Sequence, residues 1–252
     1  MISWHQYGHG ETAVVLIHGW AADSSIWREQ LAPLAARYSV VTLDLAGAGA
    51  SGANRQSWSL AHFAQDVVAV VAKLPNTHVV LVGAGLGGPV ALEAAPAIGP
   101  RLAGIIGVET FRTIGLAPPL PSLVERELQT FHSDFQGSVL RYVGGTLFHP
   151  QADPALVRSV ADLMAQAPPE RSLVELAELN RLDYASILPA VKAPIVVVDS
   201  DLGGAVDAAR LQHVAPRLQV LTLNGADSFA MLDDAPRFNT TLLQALASVG
   251  AQ

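Results

Sequence analysis

The sequence predicts an α/β fold, a doubly wound and mainly parallel sheet that carries an inserted helical segment. Three observations lead there. Short apolar runs of strand length alternate with stretches of helical spacing in both outer parts of the chain. One such run, Val79 to Val82, passes through a glycine cluster, Gly83-Ala84-Gly85-Leu86-Gly87-Gly88, directly into a helix-forming stretch rich in Ala and Leu. From about Phe111 to Leu188 no convincing strand occurs, only helical segments behind Pro118, Pro119 and Pro121.

Taken in order, Ala13 to Ile17 is a continuous apolar run of the kind buried on both faces of a parallel sheet, and it ends at His18-Gly19-Trp20. Ser24 to Ala36 opens on capping residues and then spaces its apolar positions by three and four, which predicts a helix. Tyr38 to Leu43 reads as a strand, closed by Asp44 and a glycine-rich loop through Gly52. Leu60 to Leu74 is amphipathic, with Phe63, Val67, Val70 and Val71 on one side. After the glycine cluster and its helix, Leu102 to Val108 is a strand ending at Glu109. Helices are expected over Leu123–Phe131, Gly137–Thr146, Pro154–Ala165 and Glu170–Leu182. The alternating pattern then returns with a strand from Pro194 to Val198, ending at Asp199-Ser200-Asp201, and a helix from Ala205 to Val214. A strand from Leu218 to Leu223 and a helix from Ala235 to Ala247 close the chain. The expected organisation is a core of residues 1–110 and 189–252 with a helical cap of 111–188 over the carboxyl edge of the strands, where such sheets bind ligands.

Half of the 252 residues are hydrophobic and 15% are charged, enough for a substantial core. A formal net charge of −7, with Lys and Arg scattered, argues against nucleic-acid partners. No apolar run approaches the roughly 18–20 residues of a membrane span. The start Met1-Ile2-Ser3-Trp4-His5 does not resemble a signal peptide, so a cytoplasmic protein is expected. The chain has no cysteine, which removes disulfides, thiolate nucleophiles and thiolate metal ligands together. No two histidines and a carboxylate have metal-ligand spacing, so neither metal nor another cofactor is expected.

The glycine cluster admits two chemistries. Gly83-x-Gly85-x-x-Gly88 fits the fingerprint that seats a dinucleotide pyrophosphate on a helix N-terminus, with Glu109 near the place of a ribose-binding acid. Gly83-x-Gly85-x-Gly87 has the outer glycines of a G-x-S-x-G nucleophile elbow, with glycine where the serine would stand. The dinucleotide fingerprint normally opens its domain, whereas two strands and two helices precede it here.

The preceding motifs arbitrate. His18-Gly19-Trp20, then Asp44-x-x-Gly47-x-Gly49-x-Ser51-Gly52, then the elbow, then Gly225-Ala226-Asp227-Ser228-Phe229 with Met231-Leu232, Asp234, Pro236 and Phe238, together resemble the α/β-hydrolase fold superfamily. The capped esterase, lactonase and carbon–carbon hydrolase branches are nearest in pattern, and the resemblance spans nearly the whole chain outside the helical segment. It implies a nucleophile position at Gly85, an acid at Asp201 and a histidine position at Ser228, so that two of three triad groups are replaced. It also implies an oxyanion hole from the backbone amides of Trp20 and Leu86. Gly85 has no Oγ, which excludes serine-type covalent hydrolysis at this position.

Other candidates each have a plainer reading. Glu109 is a possible acid–base group or the partner of a salt bridge with Arg112. His18 is a proton carrier or a loop-forming hydrogen bonder. Gly19, Ala84, Phe131, His132, Tyr142 and Phe229 are candidate pocket residues or helix-packing core. The ligand implied is a small hydrophobic carbonyl compound. Without the serine–histidine pair, the expectation is a non-hydrolytic enzyme of lyase, isomerase or cyclase type. The alternative is a catalytically inactive relative, natural or engineered, that binds a ligand or a partner.

Overall fold

A computed structural model describes residues 1–55, 57–202, 204 and 206–251. Its sheet has seven strands: β1 (Trp4–Tyr7), β2 (Thr12–Ile17), β3 (Ser39–Leu43), β4 (His78–Ala84), β5 (Leu102–Val108), β6 (Ile195–Ser200) and β7 (Leu218–Leu223). They lie in the order β1-β3-β2-β4-β5-β6-β7, and every pairing is parallel except that of β1 with β3. The α/β expectation therefore holds. β2 and β3 are buried along their whole length, and so is β4 beyond its first residue, as continuous Val, Leu and Ile runs require when helices cover both faces. β1 has no such signature: Trp4-His5-Gln6-Tyr7 is a mostly exposed edge strand held by its antiparallel register on β3. The sequence reading contains no strand there.

The helices around the sheet are α1 (Arg28–Ala35), α2 (Leu60–Val71), α3 (Gly87–Ile98), α9 (Ala208–Val214), α10 (Ala230–Asp233) and α11 (Ala235–Ser248). The expected helix from Ser24 begins instead as a 3₁₀ turn, Ser24–Trp27. The Asp23 carboxylate accepts from Ser25 N–H there, and Asp44 Oδ1 accepts from Ser24 N–H. Ala205, the expected start of α9, lies outside the described residues. Between β5 and β6 the chain leaves the sheet and forms α4 (Pro121–Ser133), α5 (Phe135–Tyr142), α6 (Pro154–Ala165), α7 (Pro169–Asn180) and α8 (Tyr184–Ile187). A π-helical turn over Val143–Leu147 follows α5, where Gly144 and Gly145 offer no side chain to pack. Among the described residues no helix is long and apolar enough to cross a membrane, and no group of three or more His, Asp or Glu side chains is arranged to hold a metal ion.

The helix after the glycine cluster lies against the sheet at backbone distance. A Cβ on Gly83 would overlap the Gly87 carbonyl, one on Gly87 would lie 2.8 Å from His18 O, and one on Gly88 would lie 2.7 Å from Thr110 Oγ1. Backbone cannot yield as a flexible side chain can. Gly83→Ala is therefore expected to destabilise the fold by about 2 kcal/mol or more, read as a fall in the urea unfolding midpoint at unchanged slope. An unchanged midpoint would show that the helix is free to move off the sheet.

Candidate functional site

The turn after β4 places Gly85 at the carboxyl edge of the central strands. Gly85 has φ +48°, a left-handed conformation open to glycine without steric cost, and its N–H donates to Val108 O at 2.9 Å. A Cβ there would find nothing nearer than Gly19 Cα at 3.9 Å. A Cβ at Gly85 would thus have room, and the loop after β2 would be its nearest neighbour. Leu86 follows as the N-cap of α3, where the first amides have no intrahelical acceptor. Ala84 is buried beneath the turn.

The loop after β2 is fixed from several sides. His18 is fully buried; its Nε2 accepts from Leu45 N–H at 3.0 Å, so Nδ1 carries the proton that Gly19 O accepts at 2.9 Å. Burial, aided by the Arg171 charge, pushes its pKa down to about 4. His18 is a neutral, buried hydrogen bonder that ties two loops, in keeping with the plainer of its two readings. Asp44 supports the same region: burial works against its charge, but hydrogen bonds from Ser24 and Ala50 prevail and hold its pKa below the ordinary value. The Trp20 indole Nε1–H donates to Ser172 O of α7 at 2.8 Å, and its ring meets Phe131, Phe135 and Tyr142 edge-on at 5.3, 6.3 and 5.8 Å. Two of the expected pocket aromatics, Phe131 and Tyr142, are therefore packed on Trp20.

On the other side of the elbow, Glu109 immediately follows the Val108 carbonyl that holds Gly85. It has φ +49°, a left-handed conformation that costs a non-glycine residue about 1–2 kcal/mol. Its carboxylate accepts from Ser200 N–H, from Arg112 Nη2 at 3.2 Å and from the Ser228 hydroxyl at 3.2 Å. The expected salt bridge with Arg112 forms, and the carboxylate also reaches Ser228. Asp201 does not. Its Oδ1 accepts from Gly225 N–H at 2.5 Å, so it steadies the loop that carries Ser228 without touching Ser228 itself. Phe229 stacks on Phe148 at 5.8 Å, at the foot of that loop. Gly19, Gly85, Glu109 and Ser228 each keep partial exposure.

His132 is elsewhere. It is exposed and lines a groove of about 1040 Å³ with Pro118, Val124, Leu128, Leu173 and Val174. α4 turns Phe131, and α5 turns Phe135, onto Trp20, whereas His132 is exposed in the groove, so its place in the expected pocket is corrected.

Three charged residues at the site have no part in the sequence reading. Asp199 is fully buried beside Arg112, whose Nε lies 3.0 Å from its Oδ2. Arg171 and Glu175 form a buried pair one helical turn apart on α7. The spacing of the latter two on one helix face is a signal the sequence offers; nothing local marks Asp199 out from Asp201. Burial, reinforced by the Glu109 charge and only partly offset by Arg112, pushes the Asp199 carboxyl up from 3.8 to about 8. The native state therefore binds a proton there that the unfolded chain has released, and this contribution to stability is lost as pH rises from about 4 to 8. Asp199→Asn removes the titration. Relative to the parent, its Tm should rise progressively across pH 5 to 8, measured by thermal unfolding in a pH series. A difference in Tm that stays flat with pH would refute the assignment.

Comparison with known proteins bears on what this arrangement serves. The chain is 28% identical over 223 residues to a pimeloyl-[acyl-carrier protein] methyl ester esterase of Edwardsiella ictaluri, covering 87% of this chain and 84% of that protein. It is 26% identical over 253 residues to the Xanthomonas oryzae pv. oryzae protein of that name, covering 96% and 97%. Among solved structures, a bromoperoxidase from Bacillus anthracis superposes with a TM-score of 0.85 at 20% identity, covering 98% of this chain and 95% of that one. A thermophilic esterase from Thermogutta terrifontis gives 0.84 at 22%, covering 98% and 93%. The relatives at 26–28% identity are named as ester hydrolases, which corrects the expectation of lyase, isomerase or cyclase chemistry and, with it, the dinucleotide reading of the glycine cluster. Residues 14–241 match the alpha/beta hydrolase family, and the chain belongs to that family.

Proposed function

We propose that this protein binds a small carboxylic ester at the elbow and hydrolyses it by direct attack of water, without an acyl-enzyme. The observation that supports this reading is an elbow that keeps its left-handed turn at Gly85, with an uncrowded Cβ position whose nearest neighbour is Gly19 and an N–H on Val108 O, the residue before Glu109. In a serine hydrolase the nucleophile side chain fills that space. Here it admits a water molecule. The amides of Leu86 and Trp20 hold the carbonyl oxygen and the negative charge that develops on it.

Ser228 and Glu109 supply the proton path. The water oxygen bonds to the carbonyl carbon as one of its protons passes to Ser228 Oγ, and the Ser228 proton passes to the Glu109 carboxylate, along the hydrogen bond already present. Collapse of the tetrahedral intermediate breaks the bond to the alkoxy oxygen, and the proton returns by the same path to the departing alcohol. The products are a carboxylic acid and an alcohol, so mass and charge balance with water as the only co-reactant. The named activity of the relatives on a methyl ester supports an ester of a small alcohol. The helical insertion serves as the cap of the site, its aromatic side chains packed on Trp20.

Hydrolysis of p-nitrophenyl butyrate in ¹⁸O-labelled water tests this. Steady turnover without a burst, label in the acid and no acyl adduct on the intact protein are expected, with Glu109→Gln slower by about 100-fold. A burst, a protein-bound acyl group, no turnover at all, or a rate indifferent to Glu109→Gln would each overturn the reading. Gly85→Ser combined with Ser228→His should create the burst that the parent lacks. The added side chain meets no overlap at position 85 and costs about 1–2 kcal/mol in left-handed strain.

A further inference from the structure

We infer that residues 147–149 of the insertion hold Ser228 in place, with Asp227 as the positioning residue that locks the contact; this inference rests on the reading of Ser228 as a proton relay. The two segments are joined residue by residue. Ser228 N–H donates to Leu147 O at 3.0 Å, and the Asp227 carboxylate accepts from His149 N–H at 2.5 Å. Phe229 stacks on Phe148 with ring centroids 5.8 Å apart and planes 9° from parallel. Asp227, Phe148 and Phe229 are buried. Three successive residues of the loop after β7 are thus bound to three successive residues of the insertion. The core holds the approach to this loop, through Asp201 on Gly225 N–H and through Ala226 N–H on Leu223 O at 3.2 Å.

The local structure explains why residues 147–149 are free to pair. The π-helical turn Val143–Leu147 extends α5, and Phe148 leaves it in extended conformation, with φ −136° and ψ 147°. A helix that stops leaves its last carbonyls without intrahelical donors, and Leu147 O finds its donor in Ser228. The extended backbone at Phe148 then brings the next amide, His149 N–H, to Asp227. A π turn closes its hydrogen bonds over one residue more than an α turn and is rare outside functional places. Gly144 and Gly145 within it weaken a helix, and a Cβ on either would meet nothing within 4 Å. Neither packing at these glycines nor helix propensity accounts for the wider turn; the place it gives to the Leu147 carbonyl does. Ser228 needs that fixed backbone. Its Oγ lies 3.2 Å from Glu109 Oε2, at the long end of hydrogen-bond range, so a small shift of the loop separates the two.

The test uses the full-length chain with Asp227→Ala, Asp227→Asn and a deletion of Gly145, which returns the π turn to α spacing at an exposed position. Amide hydrogen exchange at Ser228 should become at least about tenfold faster in Asp227→Ala and in the deletion, with Val80 to Val82 of β4 unchanged. For p-nitrophenyl butyrate, kcat should fall at least about tenfold with KM little altered, since a misplaced proton relay acts in the transition state. Asp227→Asn keeps an oxygen acceptor for His149 N–H and should restore both the protection and kcat. If β4 also loses protection in Asp227→Ala, the deletion decides. Parental protection at Ser228 in a folded variant of either kind overturns the inference, and so does a parental kcat beside lost protection. A parent without ester turnover would instead overturn the proposed reaction, and the exchange measurement would still decide whether the insertion holds Ser228.

Discussion

The approach of the elbow helix to the sheet at backbone distance is the constraint on which the site depends. Gly83, Gly87 and Gly88 let the first turn of α3 rest on its own strand, on the end of β2 and on Thr110, with no side chain between. A spacer of one methyl group would push α3 outward and separate Gly85 from Gly19 and from Val108 O. The fourth, Gly85, makes no such contact: a Cβ there would lie 3.9 Å from Gly19 Cα, and its backbone keeps the left-handed turn.

Beside that turn the polar groups are arranged in a chain of dependence. Arg112 stands at its centre: it faces Glu109 and Asp199 and donates to Ser200 O at 2.7 Å and to Leu202 O at 2.8 Å. It thereby ties the end of β5 to the end of β6. Two carboxyls beside one guanidinium cannot both ionise freely in a buried place, and the deeper one, Asp199, holds its proton. Glu109, nearer the surface, is left to meet Ser228. Burial depth, a tertiary quantity, thus divides the roles of two acids that sequence spacing treats alike.

One joint between the insertion and the core lies at the loop after β2. Trp20 carries the joint, with its ring among Phe131, Phe135 and Tyr142 and its indole N–H on α7. Aromatic packing of this kind buries large area while the single polar tip fixes orientation. Three helices of the insertion, α4, α5 and α7, thus meet the loop after β2 at one residue.

The sequence by itself determined the fold and the framework of the site. Continuous Val, Leu and Ile runs need helices on both faces, which forces a parallel sheet, and Gly83, Gly85 and Gly87 after such a run permit only a tight turn into a helix. These are local requirements, legible residue by residue. β1 escaped because an exposed edge strand gains its hydrogen bonds from β3 and needs no apolar pattern of its own. Tertiary structure alone decided which charged and aromatic groups meet. Asp201 and Glu109 both end strands, and only the register of β5, β6 and the loop after β7 puts Ser228 on Glu109. His132 and Phe131 are neighbours in the chain, yet helix rotation turns one outward and the other onto Trp20. The pairing of Arg171 with Glu175 is written in their spacing, but the approach of their helix to Trp20 is not, since it arises from how the insertion folds back over a loop some 150 residues earlier in the chain.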